Sequence, residues 1–308
     1  MIIDGRKIEF ERTIETDICV IGASAGGITF AHEMAKRGYN TILIEEGTFN
    51  NCENKPASFI QHMGARLKNL GITYTTSKPH ILIPTGIGVG GGTFSTLTPL
   101  SRINENIFNK LIFKDNFPTA LKNPLFKTYD TLSDQLSINE VTVSENDPIL
   151  SNFKEKDKIA LSHFSTFDLS HDSSLPFMSQ MLNSMTNDFL KLNGTLLTSS
   201  RVDNFEVEKD RILKVTANML SERKNNISIE IIAKLFVVSC GAIYSPILLY
   251  RNLSKGIHNM TGKNLKLSPK TFLFGLFENK NCYTDTNPLN SYQLNHLLDE
   301  YGVTIEKI

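Results

Sequence analysis

The sequence predicts an α/β fold, and three observations support that prediction. A short apolar strand, residues 18–21, runs into a turn of small residues, 22–27, and a pattern of helical period follows it. A second β-branched strand, residues 41–44, then ends at an acidic residue. Near residue 240 another apolar strand again runs into a turn of small residues and a helix. Such alternation is typical of a Rossmann-like parallel sheet with helices on its faces.

The first turn predicts a dinucleotide site. Glycines are expected at positions 22, 24 and 27 of such a turn, and only position 24 departs, because it is Ser24. The helix that follows would place its positive end under a pyrophosphate. Glu45, 18 residues beyond Gly27, would stand beside a ribose hydroxyl. The alternative is a βαβ unit without a nucleotide, whose glycines serve only the packing of helix on strand.

A second glycine-rich segment lies at residues 81–99 and is dense in apolar residues. It contains five glycines between Gly86 and Gly92. Consecutive glycines let backbone amides approach a planar or anionic ligand closely. We therefore favour a loop that faces a ligand over a flexible surface loop.

The middle and later parts of the chain differ in how much they predict. Residues 105–172 keep no long apolar period, and we expect them to form a cap over the ligand. A helix is predicted from Pro176 to about Leu192, because apolar residues repeat every four positions. Three strands follow, at 195–199, 202–207 and 212–219. The apolar residues 231–238 predict a central parallel strand, and a helix is predicted after it with Ser245 as N-cap and Pro246 as its first residue.

Composition excludes several classes of function. Lys plus Arg and Asp plus Glu number 32 each, so no net charge indicates nucleic acid as a partner. The four cysteines form no CxxC pair, and isolated histidines lack metal-ligand spacing, so no metal site is expected. We find neither a secretory signal pattern nor an apolar run of membrane-spanning length. A cytoplasmic protein without a transmembrane segment is the expectation.

Three segments together resemble the glucose–methanol–choline (GMC) oxidoreductases, FAD-dependent enzymes that oxidise alcohol groups. DICVIGASAGG with ILIEEG is similar to their ADP-binding unit, GIGVGGGTFSTLTP to their glycine loop beside the flavin, and VVSCGAIYSPILLYRNL to their signature strand, turn and helix. The resemblance implies a Rossmann-like FAD-binding domain with an inserted α+β cap or substrate region. The implied division is an FAD-binding domain at 10–115 and 191–277, a cap at 116–190 and a tail at 278–308.

The resemblance also implies roles for individual residues. The first turn would face the diphosphate, and the acidic residue after the second strand would face the adenosine ribose. The glycine-rich loop would lie near the flavin, and the backbone of one later strand residue would meet the adenine. The second turn would approach the cofactor from its other side. These cofactor-binding residues are Gly22, Ser24, Ala25, Gly26, Gly27, Glu45, Gly90, Gly91, Thr93, Val202, Gly241 and Ala242.

The chain departs from the family pattern at several positions, and these departures leave the catalytic residues unassigned. Ser268 stands where the family has His before Pro269, and Thr96 stands where an Asn often follows the glycine loop. The family carries its catalytic His in a C-terminal portion without counterpart here, and we do not assign that role to His296. No catalytic residue is therefore predicted.

Three interpretations remain. The first is a truncated or split FAD-dependent enzyme acting on a small-molecule alcohol, completed by a partner chain that carries the catalytic half. The second is a catalytically incomplete FAD-binding remnant or subunit. The third, an NAD(P)H-dependent flavoprotein reductase, is disfavoured because no second GxGxxG follows a strand.

Overall fold

The chain divides into two compact units, each of which contains two stretches of sequence. The computed structural model describes residues 1–49, 63–64, 66–94, 108–109, 118–135, 139–140, 161–162, 165–166, 177–209, 211–220, 227–253, 259–267, 293–294 and 305–306. Unit 1 is Met1–Thr96 with Ser179–Pro269, and unit 2 is Leu97–Met178 with Lys270–Ile308.

The regular elements of the described residues are numbered here in chain order. The strands are β1 Ile2–Asp4, β2 Arg12–Ile21, β3 Thr41–Ile44, β4 Asn139–Glu140, β5 Leu161–Ser162, β6 Ser165–Thr166, β7 Thr195–Thr198, β8 Ser200–Glu208, β9 Arg211–Met219, β10 Ser228–Val238, β11 Gln293–Leu294 and β12 Ile305–Glu306. The α-helices are α1 Ala25–Lys36, α2 Lys122–Gln135, α3 Phe177–Lys191 and α4 Gly241–Asn252.

A seven-stranded sheet forms the centre of unit 1, in the order β1-β7-β3-β2-β10-β9-β8. The first five strands of that order run parallel, whereas β9 pairs antiparallel with both β10 and β8. Ile21, the last residue of β2, is the register partner of Ile44 in β3 and of Val238 in β10. Three neighbouring parallel strands therefore end at the same level. The predicted α/β, Rossmann-like fold class is confirmed.

Alternating residues of the sheet pack on two faces. On one face, Cys19 and Ile21 of β2 belong to a buried cluster that also takes in residues of β9, β10 and α4. The other residues of the cluster are Ile42, Ile44, Leu197, Val202, Val215, Ala217, Met219, Ile229, Ile231 and Leu248. The intervening Ile18 and Val20 are also buried and point to the opposite face, because side chains alternate along a strand. Helix α1 contacts β2 and β3.

Two predicted elements need correction. Helix α4 begins at Gly241 with Cys240 at the N-cap position, five residues before the predicted start. Ser245 lies inside the helix and is not its N-cap. Its Oγ accepts a hydrogen bond from the Cys240 amide at 3.0 Å. Pro246 consequently lies inside the helix.

Strand β10 is central over only part of its length. Among the described residues, β9 pairs with Ser228 through Ile232, and beyond that point β10 pairs with β2 alone. Leu235 is accordingly 48% exposed, which a continuously apolar strand buried on both sides would not show.

Other predictions agree in outline. Helix α3 matches the predicted helix from Pro176 to Leu192, and β7, β8 and β9 match the three predicted strands within three residues at each end. The proposed roles of Thr96, Ser268, Pro269 and His296 lie outside the described residues. Within the described part of the chain, no helix is both long and apolar enough to cross a bilayer.

Unit 2 is described in short pieces. Helix α2 carries an aromatic group in which Phe126 lies 5.6 Å from Phe108 and 6.1 Å from Tyr129, measured between ring centroids. Strand β4 pairs with β6, and β11 pairs with both β5 and β12, all antiparallel. The assignment of residues 116–190 to a cap stays a prediction.

The two adjacent isoleucines of β10 provide a test of the core. Ile231 is fully buried and Ile232 is 40% exposed. We expect Ile231→Ala to lower the free energy of unfolding by about 2–5 kcal/mol, because it leaves a cavity. Ile232→Ala, which removes the same atoms from a partly solvated position, should cost about 1 kcal/mol or less. Urea denaturation followed by circular dichroism measures both, and equal losses would contradict the assigned burial.

Candidate functional site

The candidate site lies where three strands of unit 1 end together. Residues 22–27 follow β2, Glu45 follows β3, and residues 239–242 follow β10. The Ser239 amide donates to the Ile21 carbonyl at 2.7 Å, and the Gly22 amide donates to the Ile44 carbonyl at 2.8 Å. These bonds continue the ladders past the strand ends. The carboxyl edge of a parallel sheet is the position at which such folds bind ligands.

The turn after β2 is packed too closely for side chains at two of its glycines. Gly22 has φ +102°, and a Cβ there would overlap the Ser239 carbonyl. A Cβ on Gly27 would overlap the Gly22 carbonyl oxygen. Both positions therefore need glycine, as the sequence predicted for such a turn.

Ser24 fits the turn without glycine. Its φ of −85° and ψ of −177° are extended values that any residue adopts. Room for its side chain exists because Gly91 faces it: a Cβ on Gly91 would lie 3.0 Å from Ser24 Cβ. The Ser24 hydroxyl is directed toward the Ser239 carbonyl, 3.4 Å away. A glycine in the facing loop thus accommodates the departure from the expected pattern.

Helix α1 presents its N-terminus at this turn without a side-chain cap from Ser24. Its first three residues are Ala25, Gly26 and Gly27, whose amides precede the first intrahelical bond, from the Ile28 amide to the Ser24 carbonyl at 2.9 Å. An uncapped helix N-terminus carries partial positive charge and suits an anionic group.

The glycine-rich loop packs against the same turn. The Gly90 amide donates to the Ala23 carbonyl at 2.7 Å, and a short 3-10 helix, Gly91–Phe94, includes Thr93. Gly91 has φ +52°. Among the described residues, no atom would lie within 4 Å of a Cβ on Gly92.

Glu45 is buried, with 8% of its surface exposed. Its Oε2 accepts from the Ala23 amide at 2.9 Å, and its Oε1 accepts from the amides of Gly47 at 2.9 Å and Gly88 at 3.0 Å. Burial raises the pKa of this carboxyl, and the three hydrogen bonds oppose that shift. The carboxylate is thus directed at backbone amides of its own chain.

The remaining predicted residues lie beside these loops. Val202 is a buried residue of β8, two positions after Ser200, whose amide donates to the Glu45 carbonyl at 3.0 Å. Gly241 and Ala242 begin α4. Gly241 has φ +78°, and no atom of the described part of the chain lies within 4 Å of a Cβ placed on it. The cofactor roles of all twelve residues stay predictions.

One charged cluster was not predicted. Lys68 Nζ lies 2.6 Å from Glu46 Oε2 and 4.1 Å from the centroid of the Tyr244 ring. Arg201 lies 3.9 Å from Glu46 and 2.9 Å from Asp203. Lys68 follows an irregular stretch of sequence without periodicity, so only the folded chain brings it to Tyr244. Among the described residues, no group of three His, Cys, Asp or Glu side chains could hold a metal ion.

Comparisons with known proteins identify relatives of this chain. No family model matches it. It is 23% identical over 284 residues to an uncharacterized GMC-type oxidoreductase of Sinorhizobium fredii, a match that covers 89% of this chain and 56% of that protein. It is 22% identical over 300 residues to a long-chain-alcohol oxidase of Arabidopsis thaliana, covering 91% of this chain and 40% of the relative.

The chain is also similar to a solved structure. A pyridoxine 4-oxidase from Mesorbium loti gives a TM-score of 0.45 at 16% identity, covering 77% of this chain and 52% of that one. This chain spans about half the length of the curated relatives it matches. Its curated relatives include GMC-type oxidoreductases, and the resemblance predicted from three sequence segments is confirmed.

The thiol at the second turn gives a test of the packing. Cys240 Sγ donates to the Ile21 carbonyl at 3.3 Å, and burial, with added repulsion from Glu45 and Glu46, raises the pKa of the thiol to about 12. Because alkylation requires the thiolate, we expect iodoacetamide at about pH 8 to leave Cys240 unmodified in the folded protein. In urea the same cysteine should react fully. Peptide mass mapping measures both, and rapid labelling of folded Cys240 would contradict its burial.

Proposed function

We propose that this chain binds FAD and serves in the oxidation of the CH–OH group of a small-molecule alcohol. The observation that carries the proposal is the meeting of three small-residue turns at one sheet edge, in a chain whose curated relatives are GMC-type oxidoreductases. A long-chain-alcohol oxidase among those relatives supports an alcohol as substrate.

The residues at the site fit the chemistry of such a cofactor. The first amides of α1 carry no side-chain cap from Ser24 and suit the diphosphate. No described residue would contact a Cβ on Gly92 or Gly241, and close approach of a flat ring requires such space beside the backbone. The backbone of Val202 would meet the adenine, and Gly90, Gly91 and Thr93 would lie near the flavin.

FAD, when bound, supplies the acceptor for a hydride that leaves the alcohol carbon as its hydroxyl proton passes to a base. What this chain contributes is binding and orientation through the turn at 22–27 and the loop at 86–92. His32 and His80 are the histidines of the described residues, and both lie outside these two segments. We propose that the base comes from outside the described residues, on this chain or on a partner chain.

The second candidate is an FAD-binding subunit or remnant without turnover of its own. This chain spans 40–56% of the length of the curated relatives that it matches, so their activity is not assigned to this chain alone. Both candidates require FAD to bind. They differ in whether an alcohol reduces the bound flavin.

Gly26 offers a test of the diphosphate assignment. A Cβ there would meet Ser239 Oγ at an ordinary 3.5 Å. Gly26→Asp should fold, since a carboxylate near a helix N-terminus stabilises by about 0.3–1 kcal/mol. We expect it to weaken FAD binding by about tenfold or more, because the carboxylate repels the diphosphate.

Gly26→Ala is the control, and its affinity should stay within about threefold of wild type, because alanine adds volume without charge. The change in flavin fluorescence on titration of FAD with each variant measures the affinity. Equal affinities for wild type and Gly26→Asp would place the diphosphate elsewhere.

Turnover is tested separately. If the base is on a partner chain, the FAD-loaded chain mixed anaerobically with a primary alcohol should keep its oxidised-flavin absorbance, because loss of a general base slows such reactions by about 10²–10⁴-fold. Dithionite should bleach the same sample and so control for a reducible flavin. Bleaching by the alcohol alone would show that no partner chain is needed.

A further inference from the structure

Glu45 joins four segments of unit 1 through its backbone and its side chain. Its amide donates to the Leu197 carbonyl at 2.8 Å, and its carbonyl accepts from the Ser200 amide. Its carboxylate adds bonds to the turn after β2, at Ala23, and to the glycine-rich loop, at Gly88. Glu45 is therefore bonded to β7, to the start of β8, to the turn after β2 and to the glycine-rich loop.

The carboxylate has little acceptor capacity left for a ligand. An ionised carboxylate offers about four lone-pair positions on two oxygens. Oε1 already accepts from Gly47 and Gly88, and Oε2 accepts from Ala23. One position, on Oε2, remains, whereas the two hydroxyls of a ribose would use two. Contact with the ribose alone therefore does not account for this arrangement.

The bonds that Glu45 makes set the gap between the turn and the loop. Ala23 immediately precedes Ser24 and helix α1, and its carbonyl accepts from the Gly90 amide. A Cβ on Gly47 would overlap the backbone of Gly88, and a Cβ on Gly88 would lie 3.0 Å from the Thr48 carbonyl oxygen. Charge-assisted hydrogen bonds in a buried place are strong, and leaving their donors unpaired is costly.

We propose that Glu45 is a positioning residue: its carboxylate holds the turn at 22–27 and the loop at 86–92 at the separation that the dinucleotide requires, and it acts on affinity through that separation more than through the ribose. This inference rests on the proposed binding of FAD. Glu46, the next residue, contacts Lys68 and Arg201 and, among the described residues, has no bond to either loop.

The first test is Glu45→Gln. Glutamine keeps the size of the side chain, but its NH₂ group cannot accept, so at least one of the three amides loses its partner. We expect hydrogen exchange in the ligand-free protein to become about tenfold faster in peptides containing Ala23, Gly47 or Gly88, as loss of a charge-assisted bond implies. Exchange at Ile231 in the core should stay unchanged. Glu46→Gln, which removes the same charge one residue away, should leave all these rates within about twofold.

The second test is a thermodynamic cycle that combines one variant with two ligands, and it separates positioning from ribose contact. ADP and 2′,3′-dideoxy-ADP are titrated by calorimetry into wild type and Glu45→Gln. Positioning predicts that the variant loses affinity by a similar factor, about tenfold or more, for both ligands. A loss confined to ADP would assign Glu45 to the ribose and overturn the proposal, as would unchanged exchange in the three peptides.

Two safeguards keep the outcomes distinct. If Glu45→Gln does not fold, Glu45→Asp retains the charge but is one methylene too short to reach all three amides, and the same two measurements apply. If wild-type protein binds neither FAD nor ADP, the proposed function fails, whereas the exchange rates still decide whether Glu45 holds the two segments together.

Discussion

The candidate site depends on one geometric constraint, the common level at which β2, β3 and β10 end. Parallel pairing fixes Ile21 opposite both Ile44 and Val238, so the segments that leave these strands emerge side by side. Because β10 lies beside β2, the turn at 239–242 is pressed against the turn at 22–27. A shift of β10 by one residue would reverse the facing of its side chains and move the second turn away from the first. The hydrophobic cluster that contains Ile229 and Ile231 opposes such a shift.

Close contact between these turns explains where small residues are needed and where they are not. Gly22 and Gly27 each face a carbonyl with no space for a Cβ. Ser24 occupies a position where glycine is expected, and the site accommodates it because Gly91 in the facing loop lacks a side chain. The position without a side chain that this contact needs is thus Gly91, nearly seventy residues after Ser24. Substitutions at 24 and 91 are consequently coupled, and neither position can be interpreted from its own segment alone.

The sequence was sufficient to predict the βαβ unit, because the apolar strands, the glycine turn and the helix are local patterns with the correct periods. The sequence also located the second turn, but the predicted start of α4 was wrong. Ser245 followed by Pro246 has the residue types of an N-cap and a first helical residue, whereas Cys240 occupies the N-cap position. The contacts of Lys68 with Glu46 and with the Tyr244 ring were not predictable, because no pattern in the sequence around Lys68 indicates either partner. Local propensity determines elements, whereas contacts between distant loops follow from the folded sheet.

Two adjacent acids show how position on the fold determines chemistry. Glu45 and Glu46 are chemically the same and both follow β3, yet Glu45 is buried whereas the Glu46 side chain is 25% exposed. Inside, burial raises the pKa of Glu45, and the carboxylate finds amide donors from three loops. At the rim, Glu46 meets the cations of Lys68 and Arg201 in partial contact with solvent, where such pairs contribute little to stability. The buried acid therefore bears on the shape of the site, and its effect on a ligand follows from the loops that it connects.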